Sequence, residues 1–98
     1  MLRTSQIKQD LKEIKYYYTM KKTFDLATEE VKPEIILNRV NRYNAIMKNA
    51  PAKLYIIYYS LYVNCNTHQN LADEWGYSRE YVTTLNEKLV KYLQMHLH

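Results

Sequence analysis

Glycine, proline and cysteine are scarce in this 98-residue chain, which has one glycine, two prolines and one cysteine. Hairpin turns and phosphate-cradling loops need the first two residues, so a multi-stranded sheet and a Gly-rich nucleotide site are both disfavoured. The lone Cys65 cannot form an internal disulfide, and Met1-Leu2-Arg3-Thr4 lacks the apolar stretch of a secretory signal. A reducing, cytoplasmic setting is the expectation. Long hydrophobic runs are missing as well. The longest, Leu54 to Tyr59, includes three tyrosines and falls far below the ~20 residues of a membrane span. No membrane partner is therefore expected. Halving a chain this short would leave two pieces near the size at which cores fail without metals or disulfides, so residues 1–98 are expected to form a single domain. What remains is an all-α fold, a small helical bundle.

Charge is modest in total and uneven in placement. The net +4 divides into +1 for residues 1–30, +4 for residues 31–67 and −1 for residues 68–98. An excess of this size suits a nucleic-acid partner without requiring one. Tyrosine is the second bias: of eleven, seven cluster as Tyr16-Tyr17-Tyr18 and as Tyr55, Tyr58, Tyr59 and Tyr62. A tyrosine buries its ring and keeps its hydroxyl wet, so these clusters fit half-buried helix packing better than a stacking platform for bases.

Apolar periodicity marks the helices. Ile7, Leu11, Ile14 and Tyr18 recur at helical spacing and predict a first helix from Ser5 to about Thr23, with its continuation through Phe24 and Ala27 left open. Pro33 and Glu34 suit the first turn of a second helix, whose face is Ile36, Val40, Tyr43 and Met47. Asn49-Ala50-Pro51 is the clearest punctuation, and a third helix is expected from Pro51 to about Val63 with Leu54, Ile57, Tyr58 and Leu61 buried. Asn64-Cys65-Asn66-Thr67 ends it. Residues 1–50 are thus N-terminal helices of unassigned role.

The segment after that break carries the most information. Thr67 can cap a short helix containing Leu71, Ala72 and Trp75, Gly76 can supply the left-handed residue that stops it, and Ser78 can cap a final helix reaching about Leu93. Leu71, Trp75, Val82 and Leu85 are apolar where such a pair would face its own core. Ala72 is small where the helices must approach. The spacing of four residues from Ala72 to Gly76, six to Val82 and three to Leu85 suits a helix-turn-helix.

Over Leu71-Ala72-Asp73-Glu74-Trp75-Gly76-Tyr77-Ser78-Arg79-Glu80-Tyr81-Val82, with Leu85, Lys88, Leu89 and Leu93 following, the chain resembles the fourth region of bacterial sigma factors. It is closer still to small phage-encoded regulators of the ArpU type. The resemblance covers about residues 51–95. It implies a DNA-binding transcriptional regulator of phage or mobile-element kind, in which the helix starting at Ser78 enters the major groove of double-stranded DNA. Arg79 would pair with guanine, Glu80 would accept from cytosine, and Thr83 and Thr84 would touch phosphate or a thymine methyl, with Ser78 and Glu87 on the same side. Lys88 and Lys91 would reach the backbone, as would Arg39, Arg42, Lys48 and Lys53 if the middle segment flanks the groove.

Because residues 68–98 are net acidic, and phosphate neutralisation supplies most non-specific affinity, a lone motif should bind DNA weakly. The basic middle segment, a second protomer, or a change of partner would resolve this. The alternative expectation is a protein-interaction module that inhibits or redirects a host protein, such as RNA polymerase or a defence-system component. A homodimer could use the stripe Ile7, Leu11, Ile14 and Tyr18, which could equally pack onto the third helix.

Catalysis finds little support, and no enzyme activity, cofactor or metal is expected. Cys65, His68, His96 and His98 lack the second close pair of a structural zinc site, and His96 and His98 read as a frayed terminus. Cys65 with a histidine has no identifiable orienting group. Asp73 and Glu74 are adjacent on a helix and do not face each other across one substrate.

Overall fold

Spacing of four and three residues puts Ile7, Leu11 and Ile14 on one stripe, and in the computed structural model, which describes residues 2–23 and 34–97, that stripe is the buried face of helix α1 (Thr4–Thr23). Tyr18, the last residue of the stripe, is half-buried. The predicted continuation through Phe24 and Ala27, and Pro33, lie outside the described residues. Helix α2 (Glu34–Met47) buries Val40, Tyr43 and Met47, with Ile36 packed against them.

Pro51 stands in extended conformation immediately before helix α3 (Ala52–Tyr58), one residue later than the expected start, and its carbonyl accepts from the Tyr55 N–H at 3.0 Å. Ile57, Tyr58 and Leu61 form the buried stripe, while Leu54 is half-buried. The last turns of α3 widen into a π-helical segment, Tyr59–Val63, with Asn64 N–H donating to the Tyr59 carbonyl at 2.8 Å. Cys65 then takes a left-handed φ of 60°, the one such residue besides glycine among those described. That conformation costs an L-residue about 1–2 kcal/mol.

Helices α4 (His68–Trp75) and α5 (Arg79–His96) complete an all-helical fold with no strand among the described residues. Helix α5 extends beyond the expected Leu93. Leu93 and Leu97 are both buried, and the Gln94 side-chain amide donates to the Leu2 carbonyl at 3.1 Å, so packing against the N-terminus holds the last turn. His96, expected to fray, lies in that turn with its ring 4.2 Å from the Tyr92 ring. No helix among the described residues is long and apolar enough to cross a membrane.

Helix α1 packs on the π-helical end of α3, on α5 and on α2. Its stripe is therefore covered by the chain's own helices, and Ile7, Leu11 and Ile14 offer no surface for a dimer. One carboxylate is also inside. Asp10, only 4% exposed, accepts from Gln6 Nε2 at 2.8 Å and from the Tyr43 hydroxyl at 2.7 Å. Arg39 Nε stands 3.4 Å from it, and the same guanidinium pairs with Glu13. Burial, and then the adjoining Asp10, drive the Tyr43 hydroxyl pKa well above its ordinary value. A buried charge is tolerated only when paired and hydrogen-bonded, and this network stitches α1 to α2.

Candidate functional site

The connection between α4 and α5 is built from three local devices. Thr67 Oγ1 accepts from the Asn70 N–H at 3.0 Å and caps α4. Gly76, at φ 69°, turns the chain out of α4, and Tyr77 N–H donates back to the Ala72 carbonyl at 2.9 Å. Ser78 Oγ accepts from the Tyr81 N–H at 3.1 Å and caps α5. Capping side chains at the two N-termini and a left-handed glycine between the helices set the direction in which α5 leaves the turn.

With Leu71, Ala72, Val82 and Leu85 buried, the first turns of α5 present their other side outward. Arg79, Glu80, Thr83 and Thr84 are exposed and line one shallow depression. The Thr84 hydroxyl donates to the Glu80 carbonyl at 2.9 Å, so its proton is committed to the helix backbone and its oxygen keeps only acceptor capacity. The remaining candidates lie apart from that depression. Glu87 turns toward α1, where Lys8 Nζ sits 3.2 Å from its carboxylate. Lys88 and Lys91 are exposed further along α5.

Among the described cations of the middle segment, Arg39 and Lys53 meet partners within the fold, and Arg42, Lys48 and Lys53 are exposed. Arg39 is held by Asp10 and Glu13, which turns it toward α1. Arg42 lines the cleft beside the same network. Lys48 borders a tyrosine-lined cavity with Tyr18, Tyr55, Tyr58 and Tyr59. The Lys53 ammonium donates to the Tyr81 hydroxyl at 2.9 Å and lies 5.5 Å from the centre of the Tyr81 ring. The hydrogen bond to Tyr81 raises the pKa of this ammonium.

A basic group that the charge tally overlooked sits on α1 instead. Lys8, Lys12 and Lys15 border a cleft whose far side is His68, Thr83, Asn86 and Glu87. Their spacing of four and three residues, the same as in the buried stripe, was the available signal. Burial, Lys15 and Arg79, in that order, hold the His68 pKa below its ordinary value. The α1 lysines and the start of α5 thus share one electrostatic neighbourhood.

Trp75 departs from expectation. It is 46% exposed instead of buried, because Leu71 and Ala72 already fill the inward side of the eight-residue α4. Its ring stacks on Tyr77 at 6.4 Å, and Tyr77 meets Tyr81 edge-on at 4.8 Å, giving an aromatic ladder along the turn. Of the seven clustered tyrosines, Tyr17, Tyr18, Tyr58 and Tyr62 pack in or against the core, whereas Tyr16, Tyr55 and Tyr59 are exposed. The Tyr58 hydroxyl donates to Asn44 Oδ1 at 2.6 Å, and Asn44 Nδ2 donates to the Tyr18 oxygen at 3.0 Å. The Tyr62 hydroxyl donates to Asn86 Oδ1 at 2.5 Å, and its pKa is pushed up to about 12, chiefly by burial. Cys65 Sγ lies 3.5 Å from the Lys15 carbonyl and 3.1 Å from the Thr19 hydroxyl, joining the end of α3 to α1.

Comparison with protein-family models, curated proteins and solved structures finds no significant match.

Proposed function

We propose that the chain is a DNA-binding transcriptional regulator of the phage or mobile-element kind, in which α4 and α5 act as a helix-turn-helix and α5 enters the major groove. The observation that carries this reading is the shared outward face of Arg79, Glu80, Thr83 and Thr84 at the capped start of α5. These are side chains able to meet base edges, and they sit at the end of the helix that recognition helices present to the groove. Arg79 can pair bidentately with guanine O6 and N7, Glu80 can accept from cytosine N4, and the threonines can meet a thymine methyl or a phosphate. Ser78, and then Lys88 and Lys91, supply positioning contacts to the sugar-phosphate backbone. The resemblance of residues 71–93 to sigma-type and ArpU-type domains supports the same assignment.

The test is fluorescence anisotropy with a randomised duplex pool at two salt concentrations, followed by sequencing of the bound DNA. Wild-type protein should bind in a salt-sensitive way and enrich a motif. Arg79→Ala should relax the preference at one guanine by about 1–3 kcal/mol. Absence of binding by the wild type at low salt would overturn the reading.

A second reading has its own observation, the exposed Trp75 stacked on Tyr77. Aromatic side chains of this kind anchor protein interfaces, so RNA polymerase or another host protein is the corresponding partner. A Trp75→Ala variant that keeps DNA binding and loses regulation in a reconstituted transcription assay would support both contacts in one chain.

A further inference from the structure

The acidic balance of residues 68–98 leaves a gap in the DNA-binding reading. Three basic and four acidic side chains in that segment cannot attract phosphate unaided, and Arg39 is neutralised inside the α1–α2 network. The α1 lysines are placed to fill it. Lys8, Lys12 and Lys15 lie on one face of α1 and border the cleft beside α5. Thr83 belongs both to that cleft and to the depression lined by Arg79, Glu80 and Thr84, so the lysine row and the base-reading candidates form one continuous surface. Seven residues of helix advance ~10 Å, which matches the axial rise of about three nucleotides of one strand.

We infer that Lys8, Lys12 and Lys15 form a phosphate-docking track, gripping the phosphodiester backbone of one DNA strand beside the groove that α5 enters. The inference rests on the DNA-binding reading. Glu87 tunes the track. Its carboxylate occupies Lys8 at 3.2 Å in the free protein and must give way to phosphate when DNA docks. It thereby acts as an internal competitor that weakens non-specific binding.

The full-length chain is titrated with a random-sequence duplex between 50 and 200 mM salt, with four proteins compared: wild type, the triple variant Lys8→Gln/Lys12→Gln/Lys15→Gln, the matching triple Lys→Arg variant, and Glu87→Gln. Three lost phosphate contacts should reduce the slope of log affinity against log salt by about 2.7. Across that fourfold range of salt the wild type should then lose affinity roughly 40-fold more than the Lys→Gln triple. The Lys→Arg triple should keep the wild-type slope, and Glu87→Gln should steepen it by up to about one. The motif enriched from the random pool should be unchanged in the Lys→Gln triple, because phosphate contacts carry no base information. A Lys→Gln triple with the wild-type slope, or one indistinguishable from the Lys→Arg triple, overturns the track while leaving α5 recognition standing. No binding by the wild type at low salt overturns both.

Discussion

Helices α1 and α2 are joined through charge, whereas α4 and α5 are joined through hydrocarbon and backbone. In the first pair, Asp10, Arg39, Glu13 and Tyr43 form a network around a carboxylate that is almost wholly buried. In the second, Leu71, Ala72, Val82 and Leu85 meet in the core, and the turn between the helices is set by Gly76 and by the Thr67 and Ser78 caps. The consequence is a division of surface chemistry. Polar groups in the α1–α2 joint are bonded to one another, while the apolar α4–α5 joint leaves Arg79, Glu80, Thr83 and Thr84 facing outward. Of the cations in the middle of the sequence, Arg39 is drawn into the α1–α2 joint, while Arg42, Lys48 and Lys53 stay on the surface.

The largest test of this contrast is Asp10→Ala. It leaves the Tyr43 hydroxyl without its acceptor and removes one of the two carboxylates at Arg39, which should cost about 3 kcal/mol in denaturant unfolding. Replacing the buried group set together, by Asp10→Met, Arg39→Leu and Tyr43→Phe, should recover much of that loss, since apolar substitution of a buried ion network is often close to neutral. Glu13→Ala touches only the partly exposed arm of the network and should cost no more than about 1 kcal/mol. Equal losses for Asp10→Ala and Glu13→Ala would break the comparison.

The α4–α5 joint should respond to smaller, local changes. Gly76 has no heavy atom within 4 Å of where a Cβ would stand, so Gly76→Ala meets no clash and bears only the strain of a left-handed alanine at φ 69°. The expected loss is about 1–2 kcal/mol, and Ser78→Ala should lose about 1 kcal/mol through its cap. At roughly 4–8 °C per kcal/mol for a domain of this size, both shifts are readable as Tm changes. Gly76→Asn should fall between wild type and alanine, because asparagine tolerates the left-handed region better.

The same contrast explains what could be read from the residues in advance. Caps and turns are local, so Thr67, Gly76 and Ser78 declared the α4–α5 connection, and the three- and four-residue spacings declared the buried stripes of α1, α2 and α3. Spacing says which residues share a helix face and not which helix that face will meet. The lysine row of α1 was visible as a pattern, but its position beside Thr83 and Glu87 depends on how α1 packs across α3 and α5. The ion pairs of Arg39 were hidden for the same reason, since its partners Asp10 and Glu13 lie 29 and 26 positions away on another helix. Trp75 failed differently: an aromatic on the apolar stripe of a very short helix ran past the end of the core. The all-helical fold needed no such information, because scarcity of turn residues and helical periodicity pointed the same way.

The smallest effect gives the sharpest view of where the two halves meet. His68 opens α4 and lines the cleft beside Lys15, and its pKa is lowered by burial first, then by Lys15, then by Arg79. A depressed folded-state pKa means that the unfolded chain takes up the proton more readily, so stability present above about pH 6.5 declines as pH falls below that value. His68→Gln should flatten this part of the acid limb. In an NMR titration of the His68 ring, Lys15→Gln should raise its pKa toward the ordinary value and Arg79→Ala should raise it less, with burial still holding it down. Salt should produce a shift in the same direction as the charge removals by screening both cations. A His68 pKa indifferent to Lys15, Arg79 and salt alike would mean that α1 and the start of α5 do not share an electrostatic neighbourhood. The lysine row would then lose its connection to the outward face of α5 whatever the outcome with DNA.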